Sequence, residues 1–140
     1  MTIRQATVQD AVYLKPLLVQ LGYDTLTVDE VERKITDYQK PRYMLLVCEY
    51  ETMVVGFISL HCFDIFHSKG LIGRITAFCV DQAYRSQGLG KALLQAAETY
   101  FADCGCTKIE VTSNARRLQT HAFYLNAGYT EDSRRFVKYP

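Results

Sequence analysis

The chain has 140 residues, of which 49% are hydrophobic and 22% are charged, values typical of a soluble globular domain. A chain of this length buries roughly two-thirds of its unfolded surface, so a single domain over residues 1–140 needs no disulfide or metal to hold its core together. Because the formal net charge is only +1, no long-range field attracts nucleic acid or a membrane surface, and we expect neither as a partner.

The five cysteines are odd in number and show neither C-x-x-C spacing nor a Cys/His ligand pattern. We therefore expect reduced thiols in a cytoplasmic protein, and no metal site. We also expect no secretory leader and no membrane span, since the first residues are not basic and apolar and no apolar run is long enough to cross a bilayer.

The first part of the chain predicts one strand and two helices. A short strand at 3–6 is followed by leucines at helical spacing that end at Gly22, a typical C-terminal stop. Pro16 lies within this helix and removes one backbone donor, so we expect a kink or a late start there. Thr27 and Glu30 have the spacing of a capping box that opens the second helix.

The rest of the chain predicts strands that alternate with helices. Two β-rich runs at 43–50 and 54–62 predict an antiparallel hairpin, and a third long strand covers 71–81. A helix begins near Leu89 and ends at Gly105, and the strand that follows it should run parallel to the third long strand. The remaining predicted elements are a strand at 108–113, a helix at 119–126, a strand from Tyr129 onward and a last strand at 136–139.

A glycine-bearing turn leads from the third long strand into the next helix. The first N–H groups of a helix have no partner within it, and the aligned peptide dipoles place partial positive charge there. Gly88 and Gly90 leave room for a phosphate beside those N–H groups, while Arg85 and Lys91 add full charges. The turn therefore predicts a phosphate or pyrophosphate site, although neither the P-loop pattern nor G-x-G-x-x-G is present.

Two sequence regions resemble signatures of one known family. Arg85-Ser86-Gln87-Gly88-Leu89-Gly90 is similar to [QR]-x-x-G-x-[GA], the acyl-CoA signature of the GNAT N-acetyltransferase superfamily. Thr112-Ser113-Asn114, followed by a helix that contains Phe123-Tyr124 and by Gly128-Tyr129, resembles a second region of the same family. The resemblance implies the α/β GNAT fold, with a mixed sheet of about seven strands, helices on both faces and two splayed parallel strands that admit the cofactor.

The resemblance also implies acetyl-CoA as co-substrate, without a metal. The pantetheine arm would pair with the backbone of Phe78, Cys79 and Val80, where no proline removes a donor, and Asn114 would bind the pantetheine amides. We interpret the Cys79 thiol as packed rather than nucleophilic, so transfer should be direct. The residues expected to hold the diphosphate are Arg85, Ser86, Gln87, Gly88, Leu89, Gly90 and Lys91.

Acyl transfer from a thioester to an amine needs a neutral amine, donors for the oxyanion and a proton for the departing thiolate. Tyr124 is the candidate general acid, because family members commonly use a tyrosine at this position. A phenol of pKa about 10 stays protonated at neutral pH yet can donate to a thiolate of pKa about 8.5. Glu110 matches by position a glutamate that some relatives use as a base through water, and His61 is the competing base.

The acceptor is not identified by the sequence, because fold and cofactor do not fix a substrate. A small-molecule or peptide amine is expected, bound by segments 22–27, 63–67 and 130 onward. A homodimer is possible through edge strands.

The loop before Tyr124 is longer than in the shortest relatives, which leaves the match at Asn114 weaker. The alternative function is a non-catalytic acyl-CoA-binding or sensor module, and a structural protein without ligand is a third.

Overall fold

The computed structural model describes residues 1–112, 118–132 and 134–140. Five described strands form one mixed sheet in the order β1-β2-β3-β4-β5. The first three neighbouring pairs are antiparallel, while β4 and β5 are parallel, so the predicted hairpin and the predicted crossover are both confirmed. The strands are β1 Thr2–Gln5, β2 Tyr43–Tyr50, β3 Met53–Asp64, β4 Leu71–Val80 and β5 Cys106–Val111.

Four α-helices accompany these strands in the described part of the chain. They are α1 Ala11–Leu21, α2 Val28–Asp37, α3 Leu89–Asp103 and α4 Leu118–Asn126. Pro16 lies inside α1, which ends at Gly22 in the left-handed conformation with φ of 108°. The capping box of α2 is confirmed, because Thr27 and Glu30 each donate a backbone N–H to the other's side chain, both at 3.1 Å.

Helices cover both faces of the sheet, as expected. On one face α3 packs Leu93, Ala97 and Phe101 against the strands, each with no exposed surface. On the other face α1 and α2 pack through residues such as Leu17 and Ile35, each 1% exposed. Burying each of these larger apolar side chains contributes about 2 kcal/mol, so two apolar layers on one sheet account for a core without covalent ties.

The prediction of about seven strands is wrong for the residues that the structure describes, which form five. The segments from Tyr129 onward and at 136–139 were expected to be strands, but none of their described residues joins the sheet. Phe136 and Tyr139 are instead 90% and 91% exposed. Aromatic and β-branched composition favours a strand but does not supply a pairing partner, and the described residues of this segment pair with none of the five strands.

The two parallel strands separate at a β-bulge in β4. Ser59 pairs with Ala77 and the next residue of β3 pairs with Ile75, so Thr76 has no partner in β3. The β4–β5 pairing stops where Ile75 meets Val111. Residues 77–80 therefore pair with β3 only, and Thr76 is the unpaired residue of the bulge. We call residues 76–80 the open β4 edge. A bulge that bends a strand away from its neighbour is a feature often found beside active sites.

Candidate functional site

The N-terminus of α3 follows the glycine turn at which the sequence predicts an anion site. Gly88 precedes the helix with φ of 82°, and no side chain caps it. The Ala92 N–H donates to the Gly88 carbonyl across 3.1 Å, so the N–H groups of residues 89–91 come before the first intrahelical bond. A Cβ built on Gly88 would meet none of the described residues within 4 Å, so none of them fills the space in front of the turn.

Arg85 links this turn to the open β4 edge. Its Nε donates to the Val80 carbonyl across 3.0 Å, while the rest of its side chain is exposed. Asp81 holds the intervening turn, because its backbone N–H donates to Val55 across 2.8 Å and its side chain accepts from Ala83 at 2.9 Å. Lys91 is exposed in the first turn of α3. Two cationic residues thus flank the helix N-terminus at the end of β4.

The open β4 edge contains the three residues predicted to carry the pantetheine arm. Phe78 packs on the α3 side of the sheet, whereas Cys79 belongs to the core beneath α1. The Cys79 Sγ lies 3.5 Å from the Leu17 carbonyl and the residue is 5% exposed, which fits a packed thiol. Among the described residues no strand pairs with Phe78, Cys79 and Val80 on the β5 side, so this edge can accept a further extended chain.

Helix α4 brings Tyr124 to the same place. Tyr124 is 7% exposed, and its ring centroid lies 6.4 Å from that of Phe78. Phe123 packs 5.8 Å from Phe78, and a Cβ built on Gly90 would lie 3.7 Å from the Phe123 ring. Through Phe123 and Tyr124, α4 therefore lies close to both the turn and the open β4 edge.

Tyr129 attaches the end of α4 to α3, a role that the sequence motif did not reveal. Its hydroxyl donates to Glu98 across 2.9 Å, and its ring lies 5.6 Å from that of Tyr124. Burial raises the pKa of Tyr129, and the hydrogen bond to the Glu98 carboxylate raises it further. Tyr129 therefore remains a neutral donor and fixes the position of Tyr124.

The two candidate bases lie on the opposite face of the sheet. Neighbours of Glu110 in β5 pack on the α3 side, so its own side chain points to the face of α1 and α2. Arg74 Nε donates to Glu110 across 2.7 Å, and Lys108 lies 3.9 Å away. The Glu110 carboxylate is therefore paired with one cation and lies close to a second.

His61 occupies the same row, since it pairs in register with Arg74, which in turn pairs with Glu110. The His61 ring stacks on Tyr43 with centroids 4.1 Å apart. Burial lowers the pKa of His61, and the charges of Arg74 and Lys40 lower it further. His61 in β3 and the Glu110 carboxylate in β5 thus lie on the same face of the sheet, with β4 between them, near the point where β4 and β5 separate.

A cluster of hydroxyl groups at the bulge was not predicted. The hydroxyls of Ser59 and Thr76 lie 2.6 Å apart, and the Tyr38 hydroxyl lies 3.4 Å from that of Thr76. Nothing in the sequence marks these residues, because the extra residue of a bulge is visible only when the strands are paired. Their hydroxyls provide donors and acceptors on the α2 side of the open β4 edge.

Asn114 lies outside the described residues, and so do the two arginines that follow it. Within the described part of the chain, no three His, Cys, Asp or Glu side chains are grouped as metal ligands would be. None of the described helices combines the length and the apolar composition of a membrane span.

The comparisons with known proteins agree with this geometry. A model of the acetyltransferase (GNAT) family matches residues 14–129. An aminoalkylphosphonate N-acetyltransferase of Salmonella typhimurium is 38% identical over 85 residues, which are 61% of this chain and 55% of that protein. The match thus spans about half of that relative's length. An aminoglycoside N(6')-acetyltransferase type 1 of Stenotrophomonas maltophilia is 27% identical over 137 residues, 95% of this chain and 88% of that protein.

Solved structures share the fold at lower identity. An aminoglycoside N-acetyltransferase solved in complex with CoA superposes with a TM-score of 0.84 at 16% identity, covering 99% of this chain and 93% of that one. At this identity the likeness shows the fold alone. Because the superposition covers 99% of this chain, the shared fold includes the five-stranded mixed sheet described above.

Proposed function

Because the chain belongs to the acetyltransferase (GNAT) family, we propose that it transfers the acetyl group of acetyl-CoA directly to an amine. One observation carries the proposal: the uncapped N-terminus of α3 and the open β4 edge are continuous, joined by the hydrogen bond from Arg85 to Val80. A diphosphate and an extended amide-containing arm on a single ligand would use these two features together.

The first feature suits the diphosphate. The N–H groups of residues 89–91 precede the helical hydrogen bonds, and Arg85 and Lys91 add charge that a pyrophosphate would neutralise. The second feature suits the pantetheine amides, since a strand edge supplies alternating N–H and carbonyl groups. In this arrangement the diphosphate end of the arm lies beside Val80, and the thioester carbonyl lies further along the open β4 edge, towards Ala77 and Phe78. Asn114 remains a proposed partner of the arm.

The proposed chemistry follows from the groups on the two faces of the sheet. The neutral amine attacks the thioester carbonyl carbon, a C–N bond forms and the C–S bond breaks. We propose that Tyr124 gives its phenolic proton to the departing sulfur, since it lies on the α3 side beside Phe78. The proton that the amine loses passes to Glu110 through water on the opposite face. His61 is the alternative base in the same row.

The acceptor is proposed to be a small-molecule amine. Both curated relatives are named for small-molecule acceptors, but those acceptors differ in charge, because one is an aminoalkylphosphonate and the other an aminoglycoside. A peptide amine remains the second possibility. The cytoplasmic location and the homodimer inferred from the sequence stay predictions.

The proposal is tested by incubating the purified protein with acetyl-CoA and a panel of amines, with free-thiol release as the readout. Amine-dependent thiol release is expected. Thermal stabilisation by coenzyme A is measured in parallel, and a ligand at a hundred times its Kd should add about 2.7 kcal/mol. Stabilisation without transfer to any amine would instead favour the non-catalytic binding module. The absence of both would refute the proposal.

A further inference from the structure

A pocket of about 150 Å³ lies between the helices α1 and α2 and the sheet. An apolar cavity of this volume holds a molecule of about six carbon atoms. Most of its lining is apolar, and the exceptions are a lysine, a serine and a tyrosine. The three polar lining residues are Lys34, Ser59 and Tyr38, and the apolar ones include Val31, Ile35 and Ala77.

The floor of this pocket touches the proposed reaction site. Ala77 belongs to the open β4 edge and precedes Phe78, on whose other side Tyr124 packs. Ser59 pairs with Ala77 across the sheet and brings its hydroxyl to the bulge at Thr76. A molecule in the pocket would therefore lie against the strand segment that is proposed to hold the thioester arm.

The rim of the pocket is cationic. Lys34 is an exposed lining residue, whereas the lining residues Val31 and Ile35 of the same helix are buried, so the lysine marks the open side. Among the described residues, no carboxylate lies within 4 Å of its ammonium group. Glu30, one turn earlier, accepts the hydrogen bond that caps α2. None of the described residues that line the pocket is acidic.

These observations specify the chemistry of the occupant, on the premise that the chain is the proposed acetyltransferase. We infer that the acceptor carries an acidic group separated from its amine by a short alkyl chain. The acidic group pairs with Lys34 at the rim, the alkyl chain fills the apolar pocket, and the amine reaches the open β4 edge beside Ala77. A polycationic acceptor is disfavoured, because it would place positive charge against the lysine in apolar surroundings.

The test uses three ligands of equal chain length that differ at one end: 5-aminopentanoate, pentylamine and pentane-1,5-diamine. Their affinities are measured by ¹H–¹⁵N chemical-shift titration of the full chain, with and without coenzyme A, so the readout does not require catalysis. We expect 5-aminopentanoate to bind about five- to tenfold more tightly than the diamine, the scale of one ion pair at a partly apolar rim. The shifts should include residues 31–35 and 77.

Lys34→Glu should reverse this order and favour the diamine. Arg33→Glu is the matched control, since it makes the same charge change at a neighbouring exposed position outside the pocket lining, and the order should persist. Equal affinities for the three ligands, an order unchanged in Lys34→Glu, or shifts confined to other residues would overturn the inference. Loss of thiol release with every amine would instead refute the proposed transfer, because binding in the pocket is measured separately.

Discussion

Arg85 and Val80 are joined by a hydrogen bond of 3.0 Å from the arginine Nε to the strand's carbonyl oxygen. This contact fixes the position of the glycine turn relative to the strand edge, so the two parts of the proposed cofactor site share one residue. Its guanidinium group is exposed and retains further N–H donors for a phosphate.

Replacing Arg85 should therefore weaken acetyl-CoA binding. Arg85→Gln removes the charge and should raise the acetyl-CoA Kd about tenfold, the usual scale for a lost charge-assisted hydrogen bond. Calorimetric titration measures the change. Arg33→Gln on α2 is the control and should leave the Kd unaltered. An unchanged Kd in Arg85→Gln would place the diphosphate away from this turn.

The two glycines of the turn should respond differently to alanine. Gly88 has φ of 82°, so Gly88→Ala should cost about 1 to 2 kcal/mol of folding free energy through backbone strain. Position 90 has room for a Cβ, whose nearest neighbour would be 3.7 Å away, so Gly90→Ala should fold normally. Its acetyl-CoA affinity should nevertheless fall, because the methyl group occupies space beside the helix N-terminus.

Gly105→Ala separates backbone strain from binding. Gly105 has φ of 83° and open space around it, like Gly88, but it lies at the opposite end of α3. It should lower the melting temperature as Gly88→Ala does and leave acetyl-CoA affinity intact. If all three variants bound acetyl-CoA as the wild type does, the proposed role of the turn would be wrong.

Tyr124→Phe should lower kcat by about two to four orders of magnitude, as expected when a general acid is removed, while acetyl-CoA affinity changes little. Steady-state thiol release measures this effect. Tyr129→Phe is the comparison, because it removes the hydrogen bond to Glu98 and should cost about 1 kcal/mol of stability. A fully active Tyr124→Phe enzyme would remove this phenol from the mechanism.

The pH dependence of kcat/KM separates the two candidate bases. Glu110→Gln should lower kcat/KM about 100-fold or more if the carboxylate accepts the proton through water, whereas His61→Gln should have a small effect. If His61 is the base, its lowered pKa keeps the imidazole neutral near pH 7, and activity falls as the pH drops through that pKa. If kcat/KM of the wild type falls at acidic pH and this fall is absent only in His61→Gln, His61 rather than Glu110 would be the general base.

Asp10 makes the stability of the fold sensitive to acid. Asp10 is only 4% exposed, and burial alone would raise the pKa of its carboxyl group. Hydrogen bonds from Arg4 at 2.8 and 2.9 Å and from the Thr7 N–H outweigh the effect of burial, so the pKa lies below its ordinary value. Because the pKa of Asp10 is lower in the folded state than in the unfolded state, its carboxylate stabilises the fold at pH values above the unfolded-state pKa of about 3.9. This stabilisation is lost as the pH falls through the folded-state pKa.

Asp10→Asn should accordingly cost about 2 to 3 kcal/mol at pH 7 and much less at pH 2 to 3, as measured by urea unfolding. Asp24→Asn is the exposed control, because Asp24 pairs with Lys15 at 3.0 Å but its side chain is 77% exposed. Its cost should be at most about 1 kcal/mol. A pH-independent difference between Asp10→Asn and the wild type would contradict the assignment.

The features predicted correctly from the sequence are local in origin. The capping box at Thr27, the left-handed stop at Gly22 and the glycine turn before α3 each depend on a few neighbouring residues, whose chemistry is visible in order. The parallel pairing of β4 and β5 was predicted from the number of residues between the two strands, which is enough for a crossover helix, and from the right-handedness of such connections.

The features that were missed depend on long-range pairing. The bulge at Thr76 and the hydroxyl cluster around it arise only when β3 meets β4. The charged surroundings of Glu110 come from Arg74, which is distant in sequence and adjacent in the sheet. The segment after Gly128 carries strand-forming residues such as Phe136 but no described partner, so its composition misled the strand count.

The most direct test of the account is a ¹H–¹⁵N titration of the protein with acetyl-CoA, which reports where the ligand contacts the backbone. We predict saturable shifts of the amides of residues 88–91 at the start of α3 and of residues 78–80 in the open β4 edge. Shifts confined to other parts of the chain, or no shifts at millimolar acetyl-CoA, would contradict the proposed site and the acetyl transfer that depends on it.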